Sequence, residues 1–215
     1  MEQSAYWNSV AEKRNFTTTF QEKEFCKYSD RNAKILDVGC GYGRTMNELY
    51  NSGYKNLVGA DTAIEMINRG KREYPYLEFV KCTDKLPFDD NTFDAVILFG
   101  VLCSVVSDNA HINLINEIKR VLKPNGIIYV NDFLINTSIP YKLRYKKFEQ
   151  EFGVYGIYKT SDGGVLRHHT EKYILDLLKC FDILEYKKLK FKTVSGNISN
   201  GFYFIGRNSY ESNID

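Results

Sequence analysis

The segment Ile35-Leu36-Asp37-Val38-Gly39-Cys40-Gly41-Tyr42-Gly43-Arg44-Thr45 constrains this chain more than any other. Apolar, β-favouring residues run into an acid, glycines follow at three alternate positions, and a helix-like stretch begins after them. That order describes a strand, a tight turn and a helix. With no Cβ at positions 39, 41 and 43, the turn lets a ligand approach its backbone closely, and glycine accepts the positive φ such a turn needs. The helix that follows brings unpaired N–H groups to the same place.

A dinucleotide site wants its third glycine three residues after the second. Here Arg44 stands at that position and Gly43 comes one residue early. The plain alternative is a tight strand-to-helix turn with no ligand, and only the rest of the chain separates the two.

Strand and helix patterns alternate onward from residue 34. A strand is expected over 34–38, a helix over 43–53 stopped at Ser52-Gly53, and a short strand Leu57-Val58-Gly59-Ala60 ending at Asp61. A helix over 62–73, with Ile64, Met66 and Ile67 inward, leads to a strand over 77–80. Residues 93–99 are almost continuously apolar, as a central parallel strand should be. A helix over 109–122 carries Ile112, Ile115, Ile118 and Leu122 on one face. Lys123-Pro124-Asn125-Gly126 stops it before a strand over 127–130. Such alternation implies a parallel sheet with helices on both faces.

The rhythm breaks after Asp132. Residues 134–170 read as a long irregular insertion, rich in tyrosine and lysine early and glycine late. A helix over 171–180 and strands at 182–192 and 201–207 follow, the strands joined through Ser195-Gly196-Asn197 as an antiparallel hairpin.

Composition sets the outer bounds. At 215 residues with 43% apolar content, the chain fits one α/β domain with a sizeable insertion. Its net charge of +2 suggests neither a nucleic-acid nor a membrane partner. Met1-Glu2-Gln3-Ser4 carries no secretory pattern and no apolar run is long enough to span a bilayer, so a cytoplasmic location is expected. Cys26, Cys40, Cys82, Cys103 and Cys180 are odd in number, scattered, and never in C-x-x-C spacing. They read as reduced thiols, with no metal site. Oligomeric state stays open.

The spacing D-x-G-x-G-x-G from Asp37 to Gly43 resembles motif I of the class I S-adenosylmethionine (SAM) dependent methyltransferases, in particular their type 11-like, small-molecule branch. The resemblance continues in order over residues 33–132. Asp61-Thr62-Ala63-Ile64-Glu65-Met66-Ile67 is similar to the family's D-x-S-x-E-M-I stretch, and implies that Asp61 holds the SAM ribose, with Thr62 and Met66 beside it. A carboxylate at a strand tip accepts from both ribose hydroxyls; alternatively Asp61 simply caps the next helix. Cys82-Thr83-Asp84-Lys85-Leu86-Pro87-Phe88 resembles the segment that meets the adenine edge, yet Cys82 stands where the family has an acid. A thiol is a poor acceptor, so the contact passes to Asp84 or is lost, while the Thr83 N–H remains available. Phe99-Gly100-Val101-Leu102 implies a carbonyl for the methionine ammonium at Phe99, and walls for the adenosine at Val101 and Leu102. Val121-Leu122-Lys123-Pro124-Asn125-Gly126 looks like the family's turn before strand five. By this resemblance Asp37, Gly39, Cys40, Gly41, Gly43 and Arg44 also belong to the cofactor site. The expected fold is α/β: a Rossmann-like seven-stranded sheet, mostly parallel, with a C-terminal antiparallel hairpin and helices on both faces. It makes a single domain over 1–215, with an N-terminal helical cap over 1–30 and a substrate-side insertion over 134–170.

The acceptor end is less specified. Tyr6 and Trp7 precede the sheet, where relatives place a helix over the cofactor, and the tryptophan face attracts a cation such as a sulfonium. An aromatic helix glued to the core reads equally well. His168 and His169, beside Arg167 at the end of the insertion, are candidates for a base or for an anionic acceptor. The rival expectation is that Thr170 caps a helix and the histidines merely pack. His111 is expected to be a solvated surface residue. Tyr141-Lys142-Leu143-Arg144-Tyr145-Lys146-Lys147 would attract a carboxylate or phosphate, with Tyr145 a substrate candidate, although a solvated helix face is the favoured reading. Lys188, Lys190 and Lys192 read as a solvated or protected sheet edge. Phe99-Gly100-Val101-Leu102 is unlike the D/N-P-P-Y type of enzymes that methylate base nitrogens, which points away from nucleic acid and toward a small-molecule acceptor. The expected reaction is methyl transfer from SAM by in-line displacement, leaving S-adenosylhomocysteine. Its rivals are a different SAM-group transfer on the same scaffold, and a SAM-binding support subunit without catalysis of its own.

Overall fold

The computed structural model describes residues 3–192, 196 and 198–209. Two short helices lead in, α1 (Ser4–Val10) and α2 (Glu22–Phe25). Then β1 (Ile35–Val38), α3 (Arg44–Asn51), β2 (Leu57–Asp61), α4 (Ile64–Glu73), β3 (Glu78–Lys81) and β4 (Phe93–Phe99) follow in strict alternation. A 3-10 turn at Leu102–Ser104 leads to α5 (Asp108–Val121) and β5 (Leu122–Phe133). The chain closes with α6 (Ile139–Phe152), β6 (Ile157–Lys159), β7 (Val165–Arg167), α7 (Glu171–Leu177), β8 (Asp182–Lys192) and β9 (Ile198–Arg207).

The main sheet has seven strands in the order β3-β2-β1-β4-β5-β9-β8. The first five are mutually parallel, and β9 runs antiparallel to both β5 and β8. This is the expected class. Ser195 and Asn197 of the expected hairpin turn lie outside the described residues, and Gly196 between them has φ +80°.

Strand pleating sorts the core onto two faces. Leu36, Val38, Val96, Leu98, Ile128 and Val130 pack with α5 and α7. Ile35, Ala95, Ile97, Ile127 and Tyr129 face the other way, toward α3. Both faces are covered, which is why β4 reads as an unbroken apolar run. From β1 the chain winds outward to β2 and β3, then returns to place β4 on the other flank of β1. That reversal leaves a crevice at the carboxyl ends of β1 and β4, the position where open α/β sheets bind ligands.

Several expectations need correction. His111 is completely buried: its Nδ1 meets the Tyr173 hydroxyl at 2.7 Å and its Nε2 the Leu102 carbonyl at 3.0 Å. The buried face of α5 is His111, Leu114, Ile115, Ile118 and Val121, while Ile112 is 49% exposed. One polar residue on the core side thus turned the apparent apolar stripe by a position. Leu122 already belongs to β5, and residues 123–126 bulge out opposite Asp94, whose carboxylate pairs with Lys123 at 2.7 Å. The 134–170 stretch is not irregular. Pro140 at the start of α6 and Gly153 at its end, in the left-handed conformation, bound a 14-residue helix, and β6 pairs with β7 as a small separate hairpin. On β8, Lys188 is paired with Glu171 at 2.9 Å.

Candidate functional site

The turn after β1 has the expected backbone. Gly39, Gly41 and Gly43 adopt φ of +70°, +56° and +85°, a region that costs L-residues with a Cβ roughly 1–2 kcal/mol each. Their neighbours differ. A Cβ on Gly39 would lie 2.4 Å from Val101 Cγ2, and one on Gly41 would lie 2.9 Å from Phe16 Cε2. Both face a cavity of about 1030 Å³ at the carboxyl ends of β1, β2 and β4. Gly43 does not line it, because a Cβ there would meet the Phe79 ring at 2.6 Å. Its glycine serves close packing of the turn against β3.

Two buried acids stand beside the turn. Asp61 Oδ2 accepts from the Gly41 N–H and Oδ1 from the Ala63 N–H, each at 2.8 Å. Burial pushes its carboxyl upward, against the pull of those N–H groups. It therefore ties the glycine turn to the start of α4 and still faces the cavity. Asp37 is harsher: its Oδ2 is buried without a hydrogen-bond partner. Burial raises its pKa to about 8, with Arg44 nearby opposing the shift. An uncompensated buried acid of this kind is costly unless a cation joins it.

Arg44 caps this end, bonded to Glu48 at 2.7 Å and lying 5.4 Å from the centre of the Phe99 ring. Cys40, Thr62, Met66 and Val101 complete the wall. Leu102 turns away into the core. Thr83 and Asp84 are exposed and do not line the cavity, so the stretch around Cys82 contributes none of its surface.

The opposite wall comes from two distant parts of the chain. Tyr6, Trp7 and Phe16 enter from the N-terminal side, and Phe16 stacks on Tyr42 with centroids 5.4 Å apart and planes within 4°. From the other side come Phe133, Tyr141, Arg144, Phe148 and Tyr158. The basic aromatic run is therefore not simply a solvated face. One side of α6 looks into the cavity, while Tyr145 is fully buried behind it. Arg14 bridges the two walls, reaching Asp162 at 2.6 Å and the Tyr6 hydroxyl at 2.5 Å.

The remaining acceptor-end candidates divide. His168 lines the cavity, and its ring nitrogens are engaged by Tyr145, Asn136 and Tyr158. His169 does not line it. Its ring stacks on Tyr173 at 5.6 Å, next to His111. Arg167 is buried away from the cavity, donating to the Val106 carbonyl at 2.7 Å and to Asp108 at 2.5 Å. The Thr170 hydroxyl accepts from the Tyr173 N–H at 3.1 Å, so the helix-cap expectation holds and draws His169 and Arg167 into packing roles. Phe133, Tyr158 and Asp162 were missed in the sequence. Their only signal there was membership of the aromatic-rich insertion. Among the described residues no group of His, Cys, Asp and Glu is arranged to hold a metal ion.

A family model described as a methyltransferase domain matches residues 36–130. Over almost the whole chain, the structure is similar to that of a SAM-dependent methyltransferase from Methanosarcina mazei. The TM-score is 0.84 at 26% identity, covering 91% of this chain and 100% of that one. Residues 36–130 thus match a methyltransferase domain, and the chain carries the fold of a SAM-dependent methyltransferase. In sequence, the chain is also 34% identical over 116 residues to the demethylmenaquinone methyltransferase of Renibacterium salmoninarum, which covers 54% of this chain and 47% of that protein. The match thus spans about half the length of that relative. The fold also matches the 1,6-didemethyltoxoflavin-N1-methyltransferase of Burkholderia thailandensis, crystallised with 1,6-didemethyltoxoflavin and S-adenosylhomocysteine. There the TM-score is 0.63 at 16% identity, covering 97% of this chain and 79% of that one. No helix among the described residues is long and apolar enough to cross a membrane.

Proposed function

We propose that this chain, working as one domain, transfers the methyl group of SAM to a small-molecule acceptor seated at the aromatic end of the cavity. The observation that carries the proposal is a single cavity joining two unlike ends. One is a glycine turn with two buried acids, and the other an aromatic wall from the N-terminal segment and the 134–170 insertion. The relatives support it, since the R. salmoninarum protein is named for demethylmenaquinone and the B. thailandensis structure has 1,6-didemethyltoxoflavin and S-adenosylhomocysteine bound.

The residues suit the cofactor on two counts. Asp37 Oδ2 is buried with no partner, and Gly39 and Gly41 form a cradle that any Cβ would fill. Asp37 would take the methionine ammonium, and Asp61 the ribose hydroxyls beside the Gly41 N–H it already holds. Thr62, Met66 and Val101 would flank the adenosine, and the Phe99 carbonyl would face the ammonium. SAM, when bound, supplies an electrophilic methyl on a sulfonium. The chain's own work is alignment and exclusion of water. Trp7 and Phe16 shut the N-terminal side, and the Arg14–Asp162 pair holds the two walls together.

The test is calorimetric titration with S-adenosylhomocysteine, with NAD as control, followed by incubation of the chain and labelled SAM with small-molecule pools. Binding of S-adenosylhomocysteine alone, with the methyl label recovered in a small product, is the expected result. Label recovered only from the aminopropyl or carboxyl portion of SAM would assign another group transfer. Absence of cofactor binding would leave a support subunit.

A further inference from the structure

The acceptor wall contains a chain of hydrogen bonds that starts at two backbone N–H donors. Asn200 N–H donates to Asn136 Oδ1 at 2.8 Å, which turns the Asn136 Nδ2 toward Ser199 Oγ and the Leu134 carbonyl, with His168 Nδ1 at 3.2 Å. The Asn136 backbone N–H donates to the Tyr145 oxygen at 3.2 Å. The Tyr145 proton then has His168 Nδ1, 2.7 Å away, as its one acceptor within reach among the described residues, while the two Asn136 Nδ2 hydrogens have Ser199 Oγ at 2.9 Å and the Leu134 carbonyl at 3.2 Å. A ring nitrogen that receives the Tyr145 O–H is an acceptor. The proton of a neutral imidazole therefore sits on Nε2, which faces the Tyr158 hydroxyl at 3.1 Å. Burial pushes the His168 ring down to about 3, so the ring is neutral near pH 7 and does not act as a base. His168 spends its one N–H on the Tyr158 oxygen. The Tyr158 O–H, itself on the cavity wall, is left with no other partner among the described residues. Its burial raises its pKa, so the hydroxyl keeps its proton.

Positive charge stands at the same place. The Arg144 guanidinium lies 5.1 Å from the centre of the Tyr158 ring and 5.5 Å from that of Tyr141. Lys147, one turn along α6, also lines the cavity. Neither pairs with a carboxylate among the described residues, whereas Lys159 is bridged to Glu151 and Arg14 to Asp162. Flat surfaces flank the donor, with Phe133 stacked on His168 at 5.3 Å and Tyr141 5.7 Å from the same ring. A protonated phenol, two unpaired cations and aromatic faces are complementary to one ligand type.

We propose that this wall binds a planar aromatic carboxylate, with the Tyr158 hydroxyl and Arg144 receiving its oxygens and His168 acting only as the positioning residue that aims Tyr158. Calling that ligand the methyl acceptor rests on the function proposed above; its binding does not. In this arrangement the carboxylate anchors the ring, and whichever nucleophile the ring carries is held toward the Asp37–Asp61 end.

The test uses the full chain, with and without S-adenosylhomocysteine, titrated calorimetrically with three matched pairs. These are benzoate and benzamide, 4-hydroxybenzoate and 4-hydroxybenzamide, and 2-naphthoate and 2-naphthamide. At least one carboxylate is expected to bind about tenfold more tightly than its amide. Tyr158→Phe, which removes one oxygen from a retained ring, should erase about tenfold of that affinity and leave the amide unchanged; Arg144→Gln should cost a few-fold. Imidazole nitrogen NMR should show the Nε2–H form of His168 from pH 5 to 8, and Tyr145→Phe should blur that preference. Equal binding of acids and amides, no binding of any acid, an unaltered preference in Tyr158→Phe, or the Nδ1–H form would each overturn the proposal. Carboxylate selectivity without S-adenosylhomocysteine binding would break the methyl-transfer reading and leave this one standing.

Discussion

The two ends of the cavity are built in opposite ways. At the cofactor end, the groups come from short contiguous stretches at the tips of adjacent strands: residues 37–44 after β1, 61–66 after β2 and 99–101 after β4. Parallel pairing alone brings them together, and backbone N–H groups supply much of the polarity. The aromatic end, where the acceptor is proposed to sit, is assembled from residues 6–18, 133 and 141–168, joined by side-chain bonds such as Arg14–Asp162 and Tyr145–His168. The lesson is that one end is rigid because the sheet makes it so. The other joins distant segments through side-chain contacts in addition to the β6–β7 pairing.

The largest expected effect breaks the rigid end. In Gly39→Ala the new methyl would fall 2.4 Å from Val101 Cγ2 at a backbone φ of +70°. S-adenosylhomocysteine binding should drop by about a hundredfold or more, since an αL penalty of roughly 1–2 kcal/mol adds to the clash. Calorimetry on a variant shown to be folded checks this, and near-normal affinity would mean the turn does not meet the cofactor.

Asp61→Ala comes next. It removes the proposed ribose acceptor and orphans the Gly41 and Ala63 N–H groups. A loss of about 1–3 kcal/mol in cofactor binding is expected, with a parallel drop in the thermal midpoint. Destabilisation with no change in affinity would reduce Asp61 to a brace for the turn.

A subtler signature belongs to Asp37. Its ligand-free pKa is raised to about 8, so between about pH 4 and 8 the folded carboxyl holds a proton that the unfolded chain gives up. Ligand-free stability should therefore fall as pH rises through that window, being fully present only below it. An ammonium placed against Oδ2 would ionise the acid, so cofactor binding near pH 6.5 should release about one proton. Titrations in buffers of different ionisation enthalpy measure the release, and Asp37→Asn should abolish it. Proton-neutral binding by the unaltered chain would place the ammonium elsewhere.

The smallest effect sharpens the comparison from the other side. Arg14→Gln removes the partly exposed Arg14–Asp162 pair that links the two acceptor walls. Exposed pairs contribute about 0–1 kcal/mol, so the thermal midpoint should barely move and S-adenosylhomocysteine affinity should be unchanged. A large loss of cofactor affinity would show that the two ends are coupled after all.

Local sequence carried the first end because each of its requirements is a short-range rule. Strand residues run into Asp37, glycines serve where φ is positive or a Cβ would collide, and Asp61 closes the neighbouring strand. Even there, Gly43 was legible as a turn glycine but not as a packing glycine, because Phe79 lies 36 residues away in sequence. The histidines show the opposite case. His111, His168 and His169 are equivalent as letters, yet all three are buried. Only His168 touches the cavity, and a tyrosine 23 positions away meets its Nδ1 at 2.7 Å. Arg167 beside it seemed poised for an anion and is instead consumed by Val106 and Asp108.

By itself the sequence determined the alternating strands and helices, the glycine turn and the two acids at neighbouring strand tips. Those follow from periodicity and backbone conformation, which act over a few residues. Tertiary structure alone decided which aromatics face the cavity, that Arg144 and Lys147 stand without a carboxylate, and that Tyr158 offers a donor. Burial and hydrogen-bond direction depend on which distant groups arrive beside a side chain, and no local pattern encodes that arrival.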